Sequence, residues 1–356
     1  MTAGPDTDQA GPVRPGEALD WVALEAYLRP LLGVDAPLGV RQFPNGSANL
    51  TYLLEFGPRR FVLRRPPFGE VAPGAHDMRR EYRVLSQLWQ AFDRAPRAFC
   101  FCDDRDVIGA DFVVSDYRSG VVIWSELPPS MAGLPDAGHR VGLAVVDALA
   151  ELHLVDPAGC GLSELGRPVG FVARQVSGWT DRWRRVATED ADAVMTAVAA
   201  ELAARLPAEG RAAIVHNDFK PDNCQFQPGQ PDRVTSVFDW DMATLGDPLI
   251  DLGTLLNYWP DPGDTDDDRA LSVAGLDRMG LPSRAEVVAR YVAVTGVDPA
   301  TIAWYEAFAS WKTAAVREQL HHRFVRGETS DPRMGLMHEN VVMLAQRARR
   351  LLADLS

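Results

Sequence analysis

IVHNDFKPDNCQF (residues 214–226) and VTSVFDWDMATLGDPLIDLG (residues 234–253) are the two segments around which the rest of the chain is placed. In the first, His216, Asp218, Lys220 and Asn223 stand on a short polar loop between the apolar runs 212–215 and 224–226. That pattern predicts a strand, a loop and a second strand. Phosphoryl transfer from a nucleotide demands such a set, because it needs placement more than covalent chemistry. Asp218 suits orienting or deprotonating an acceptor hydroxyl. Asn223, five residues on, offers a hard neutral oxygen to magnesium, and Asp239 on the next strand can hold the same ion from the other side.

The spacing Asp218-Phe219-Lys220-Pro221-Asp222-Asn223 resembles the catalytic loop of protein kinases, in which the Asp is the base and the Asn a magnesium ligand. The resemblance implies that Lys220 contacts the transferred phosphate. With Val215-His216-Asn217-Asp218 before it and Phe238-Asp239-Trp240-Asp241-Met242-Ala243, Gly246-Asp247-Pro248 and Asp251-Leu252-Gly253 after it, the stretch is similar to the aminoglycoside phosphotransferase superfamily. Phe238-Asp239-Trp240 then stands where protein kinases carry Asp-Phe-Gly, so Asp239 is the metal carboxylate and Asp241 a second acidic neighbour. His216 is expected to brace the loop as a scaffold, not to act as the base. The competing explanation is that acids cap turns and helices. It is preferred for Asp247, which precedes Pro248 as an N-cap would, and for Asp251 in the next helical turn.

The 356 residues are 46% hydrophobic, enough to bury a large core, and the length suggests two lobes or domains. A net charge of -13 argues against nucleic acid or an anionic membrane as partner. Cys100, Cys102, Cys160 and Cys224 show no metal-ligand spacing, so reduced cytosolic thiols are expected. The N-terminal residues have neither a basic flank nor an apolar core, and the expected location is cytoplasmic. Only two lysines occur, Lys220 and Lys312.

Residues 1–15, rich in Gly, Pro and Asp, are expected to be disordered. Residues 19–32 predict a helix with Leu19, Val22, Leu24, Leu28 and Leu31 on its apolar face, ended by Gly33. Residues 40–56 read as two strands around the turn Pro44-Asn45-Gly46-Ser47-Ala48-Asn49. Backbone N–H groups there could cradle phosphates, although the same Asn-Gly turn also reads as a plain hairpin. Arg64, on the third strand 60–64, falls where the resemblance expects the phosphate-binding lysine. A guanidinium keeps the charge but differs in shape and reach. Residues 75–92 predict a helix with the stripe Met78, Tyr82, Leu85, Trp89 and Phe92. Glu81 on its edge could pair with Arg64, or face solvent beside Arg79 and Arg80. Strands at 98–102 and 111–116 complete a five-stranded antiparallel lobe, and Asp116 and Tyr117 begin a hinge whose backbone could bond an adenine edge.

Beyond the hinge the chain predicts helices, with His153 as a satisfied core histidine. The run from Gly161 to Phe171 with Arg174, Gln175, Val176, Trp179 and Trp183 resembles the phosphotransferase branch that in animals is fused to acyl-CoA dehydrogenases. So do Leu63-Arg64-Arg65-Pro66-Pro67 and His76-Asp77-Met78 with Arg80-Glu81-Tyr82. That branch also carries arginine on the third strand. Trp179 and Trp183, one turn apart, read as core or as walls of a pocket. The acidic run 261–268 reads as a solvated linker, or as a holder of amino sugars by analogy with aminoglycoside enzymes. Residues 285–294, 304–324 and 334–352 predict amphipathic helices.

These readings predict an α+β, two-lobed, protein-kinase-like fold: an N-lobe at 16–115 with five antiparallel strands and one main helix, and a mostly helical C-lobe at 116–356. The implied activity is transfer of phosphate from ATP or GTP, with Mg2+, to a hydroxyl of a small molecule. Hydroxy acids, hydroxyacyl thioesters, aminoglycosides and macrolides are candidate acceptors. A nucleotide-binding pseudokinase that regulates a partner is the alternative, supported by the arginine at position 64.

Overall fold

The computed structural model describes residues 10–44, 49–69, 77–329 and 331–355. The first lobe is a five-stranded antiparallel sheet of β1 (Leu38–Gln42), β2 (Leu50–Phe56), β3 (Arg59–Arg65), β4 (Ala98–Cys102) and β5 (Phe112–Asp116), in spatial order β1-β2-β3-β5-β4. Alternation along the strands puts Tyr52, Leu54, Phe61, Leu63, Cys100, Cys102, Phe112 and Val114 into one packed layer. Helix α1 (Trp21–Leu32) covers that layer with Leu24, Leu28 and Leu32, each contributing about 1.5–3 kcal/mol by leaving water. The expected stripe was partly wrong. Val22 is 81% exposed, because it lies about 200° around the helix from Leu24. Asp20 caps α1 by accepting the Ala23 N–H at 2.9 Å, and Gly33 ends it at φ 60°.

Helix α2 (Met78–Leu85) packs Met78, Val84 and Leu85 toward the second lobe's core. It stops at Ser86, and a short 3-10 turn (Leu88–Gln90) replaces the continuous helix expected as far as Phe92. Glu81 is buried within the packed face of α2, not on its edge. Disorder expected over residues 1–15 does not hold for the described part. Gly11 and Gln42 exchange backbone hydrogen bonds of 2.8 Å, and Arg14 donates its N–H to Gln42 Oε1. This segment covers the outer edge of β1, whose N–H and C=O groups would otherwise lack partners. A short helix α3 (Arg105–Ile108) links β4 to β5.

In the second lobe, β6 (Val121–Val122) pairs with β8 (Cys224–Phe226), which pairs with β9 (Val234–Val237), while β7 (Ala213–Val215) pairs with β10 (Thr244–Gly246). Around these lie α4 (Pro129–Ala132), α5 (Ala137–Leu154), α6 (Phe171–Arg184), α7 (Asp192–Ala204), α8 (Leu249–Tyr258), α9 (Asp266–Leu271), α10 (Arg284–Thr295), α11 (Ile302–Val325), α12 (Pro332–Gly335) and α13 (Val341–Ala353). Helix α11 is buried on every side from Trp304 to Ala315, so it is a central helix and not an amphipathic one. It can approach α8 closely because Gly253 has no side chain; a Cβ there would lie 2.6 Å from the Tyr305 backbone. The helix expected at 334–352 is divided into α12, a 3-10 turn and α13.

Trp179 and Trp183 are core residues, and Trp183 Nε1 donates to Asp192 at 2.9 Å. The acidic run 261–268 is solvated only in part: Asp266 and Asp267 are exposed, while Asp264 and Asp268 are held. Arg284 holds Asp264 with bonds of 2.5 and 3.0 Å, Arg350 holds Asp268 at 2.6 Å, and Thr265 caps α9. All four cysteines are free and buried. Among the described residues no helix is long and apolar enough to cross a membrane.

Candidate active site

The loop after β7 is held from behind. Asp251, in the first turn of α8, accepts the N–H groups of His216 at 2.6 Å and Asn217 at 2.7 Å, and His153 Nε2 lies 3.2 Å from the same carboxylate. Burial opposes its ionisation, but His153 and the His216 contacts hold the Asp251 carboxyl below the usual range. His153 is a satisfied core histidine, since its Nδ1 also meets the Tyr291 hydroxyl at 2.6 Å. Asn217 sits in the left-handed region at φ 67°, which asparagine tolerates better than most residues. Its side chain donates to Met242 O at 2.8 Å, and its carbonyl accepts from Lys312 Nζ at 2.9 Å.

His216 is enclosed by Trp240 and Phe219, with Nε2 2.8 Å from Phe238 O and Nδ1 3.4 Å from the Asp218 N–H. With Nε2–H as donor and Nδ1 as acceptor, the ring ties the loop to the segment that carries Asp239. The Asp218 carboxylate lies 3.1 Å from Lys220 Nζ and 3.4 Å from Asn223 Nδ2. Asn223 also donates to the Asp218 carbonyl at 2.8 Å, so its NH2 faces Asp218 and its carbonyl oxygen is left for another partner. Burial works against the Lys220 ammonium, yet Asp218 and Asp222 raise its pKa well above the ordinary lysine value.

Asp239, at φ 69°, accepts from Arg64 Nη2 at 2.6 Å, while Arg64 Nη1 lies 3.0 Å from Glu81 Oε1. One planar guanidinium thus joins β3, α2 and the strand end of the second lobe. Burial pushes the Glu81 carboxyl up to about 7 against the pull of Arg64. For Asp239 the pull of Arg64 outweighs burial and lowers the carboxyl. Arg64 Nε and Glu81 Oε2 are buried without partners. Asn49, at the start of β2, donates to Asp241 at 3.3 Å and makes a second link between the lobes.

The structure therefore brings Arg64, Glu81, Asn49, His216, Asp218, Lys220, Asn223 and Asp239 to one region. Asn45, Gly46 and Ser47 lie outside the described residues. Asp116 and Tyr117 are engaged locally. Asp116 gives its N–H to Arg97 O at 2.9 Å and accepts from Arg97 N at 2.7 Å, and the Tyr117 ring lies 4.1 Å under the Arg60 guanidinium. Two residues went unassigned in the sequence, Lys312 and Tyr258, and Asp251 was read as a structural acid of the helix's first turn without its bracing of the loop. Asp251 had a readable signal, an acid between Ile250 and Leu252 in an apolar run, which must find partners when buried.

Two lobes, a five-stranded sheet packed by α1 and α2, and a bridged polar loop on a helical second lobe define the kinase-like class of phosphotransferase fold. A sequence model described as "Phosphotransferase enzyme family" matches residues 39–288, and the chain belongs to that family. It is 31% identical over 342 residues to mouse acyl-CoA dehydrogenase family member 10, covering 94% of this chain and 31% of the mouse protein. The chain thus spans about a third of that relative's length. Among solved structures, a Ralstonia eutropha protein provisionally named an aminoglycoside phosphotransferase is 28% identical, with a TM-score of 0.77 over 95% of this chain and 99% of that one. A thermostable mutant of aminoglycoside phosphotransferase APH(4)-Ia, in ternary complex with ADP and hygromycin B, shares the fold at 16% identity. Its TM-score is 0.58 over 93% of this chain and 98% of that one.

Proposed function

We propose that the chain transfers the terminal phosphoryl group of ATP or GTP to a hydroxyl of a small molecule. The observation that carries this reading is the convergence of Asp218, Asn223 and Asp239 beside the Arg64–Glu81 ion pair. In this reading Asp218 accepts or orients the proton of the acceptor hydroxyl, and Lys220, 3.1 Å away, faces the transferred phosphate. Arg64 and the turn at Asn45, Gly46, Ser47 and Asn49 hold phosphates, and His216 keeps the loop in place. The nucleotide base lies at the hinge that begins at Asp116 and Tyr117.

The donor set suits magnesium. One carboxylate and one amide oxygen are too few for a protein cage, and no group of three acidic, His or Cys ligands exists among the described residues. Mg2+ characteristically combines one or two carboxylates with nucleotide phosphates and water. Asn223 and Asp239 would hold it, and when bound it would neutralise charge on the phosphates. The candidate acceptors are a hydroxy acid, a hydroxyacyl thioester, an aminoglycoside or a macrolide.

The pseudokinase reading has one observation in its favour: Arg64 is seated on Asp239, the carboxylate a metal would need. Magnesium-dependent nucleotide turnover separates the two. Turnover that Asp218→Ala lowers by roughly 100-fold or more fits removal of a positioned base. Nucleotide binding with no turnover, unaltered by Asp218→Ala across an acceptor panel, would overturn the enzyme reading.

A further inference from the structure

The two flanks of Asp218 carry opposite charge. Asp239, Asp241 and Glu81 lie on the side of Arg64. Cations gather on the side of Tyr258. Lys220 Nζ stands 5.8 Å from the centre of the Tyr258 ring, and Thr313 on α11 bonds Asn257 at 3.1 Å, which seats this face of α11 on the end of α8. Lys312, next to Thr313, is buried, donates to Asn217 O and lies 5.5 Å from the centre of the Trp179 ring. Both lysines of a chain with net charge -13 therefore adjoin the loop of Asp218.

Arg317 follows Thr313 by one helical turn, so it shares the face turned to Tyr258. It is half-buried, and among the described residues its side chain makes no hydrogen bond and no ion pair. A guanidinium that is partly desolvated yet lacks an acceptor has five donors to offer, and a carboxylate or phosphate fits them bidentately. Meanwhile two of the acids in the run 261–268 are already engaged, Asp264 by Arg284 and Asp268 by Arg350.

We propose that Arg317, supported by Lys220 and Lys312, binds an anionic group of the acceptor and thereby sets its charge class. The group is a carboxylate of a free hydroxy acid or a phosphate of a carrier thioester. This rests on the phosphotransfer reading above. A cationic acceptor would meet like charge at the same place.

The test uses the full chain and three matched acceptor series: hydroxy acids of four to eight carbons, their coenzyme A thioesters, and their uncharged N-acetylcysteamine thioesters. Aminoglycosides form a fourth arm. Phosphate transfer gives KM and kcat, and calorimetric binding of each compound gives Kd without turnover. For the preferred anionic series, Arg317→Ala should raise KM and Kd by roughly 10- to 100-fold, as loss of a charge-assisted hydrogen-bond pair implies. The uncharged series should change less than about threefold on the same scale. Arg317→Lys should recover part of the loss and serves if Arg317→Ala fails to fold. An effect confined to free acids assigns the carboxylate, and one confined to coenzyme A esters assigns the phosphate. Equal losses on charged and uncharged acceptors, preference for aminoglycosides, or no binding of any anion would overturn the proposal. Failure of the parent reading has a different mark: no nucleotide turnover that depends on Asp218.

Discussion

Replacing Asp251 by asparagine tests whether the loop of Asp218 is held in position from behind. The side chains have nearly the same size, so no cavity forms, but the acceptors change. Asp251 Oδ2 takes the His216 N–H at 2.6 Å and faces His153 Nε2 at 3.2 Å, while Oδ1 takes the Asn217 N–H at 2.7 Å. Asparagine has one acceptor oxygen, so whichever way it turns, its NH2 opposes a backbone N–H. Bonds to a charged group are worth about 1.5–3 kcal/mol each, so losing one and weakening the others should cost roughly 3–5 kcal/mol. Domains are stable by about 5–15 kcal/mol, so the loss is large but survivable. Urea unfolding should show it, and amide exchange at His216 and Asn217 should quicken in the native state. A loss under about 1 kcal/mol, with both amides as protected as before, would refute the bracing role.

The same residue predicts an acid-side effect. Because its folded pKa lies below the ordinary 3.8, the stability it contributes is present above that value and lost as pH falls through the folded value. Thermal melts of Asp251→Asn should therefore lose less stability on acidification than the parent. Glu81 works in the opposite sense: its carboxyl is raised from 4.5 to about 7, so its contribution is full below 4.5 and lost as pH rises through about 7. Glu81→Gln should flatten the fall in stability between those values, and an unchanged slope would contradict the burial argument. Arg64→Met strips the cation from between Glu81 and Asp239 and should destabilise by about 3–5 kcal/mol in urea unfolding, as removal of one partner from a buried pair does. Gly253→Ala forces a methyl against the Tyr305 backbone and should cost about 1–3 kcal/mol in the same assay, through separation of α8 from α11.

Legibility in the sequence follows the distance between partners. Asp218 and Asn223 share one loop, so their spacing alone marked them. Arg64 and Asp239 are 175 residues apart, and Asn49 and Asp241 are 192 apart. Of those contacts, sequence gives only the order of elements, and the resemblance to kinase-like enzymes supplied the rest. The five strands and their order of appearance were legible because period-two alternation records burial directly. Helix ends were less so. Helix α2 ends at Ser86 although the apolar repeat runs on, because an apolar period survives in a 3-10 turn that still faces the core. Arg317 left no mark at all, since an arginine on a helical repeat looks the same whether its head meets water, an acid or a ligand.

The placement of the lysines bears on what the site must overcome. If the acceptor is an anion, as proposed, it must approach an already anionic phosphate. Two unit charges at 4 Å repel by about 4 kcal/mol at the effective dielectric typical near a protein surface. That is close to three powers of ten in rate unless positive charge lies between or behind them. Lys220 adjoins Asp218 directly, whereas Lys312 reaches the same loop only through a backbone carbonyl. The first can therefore touch a reacting group, and the second acts through the field and through the position of Asn217. Burial lowers the Lys312 pKa, with Asp218 and Asp251 working to keep it charged. The positive field on this side of the loop therefore depends on Asp218 and Asp251, which oppose the effect of burial on Lys312.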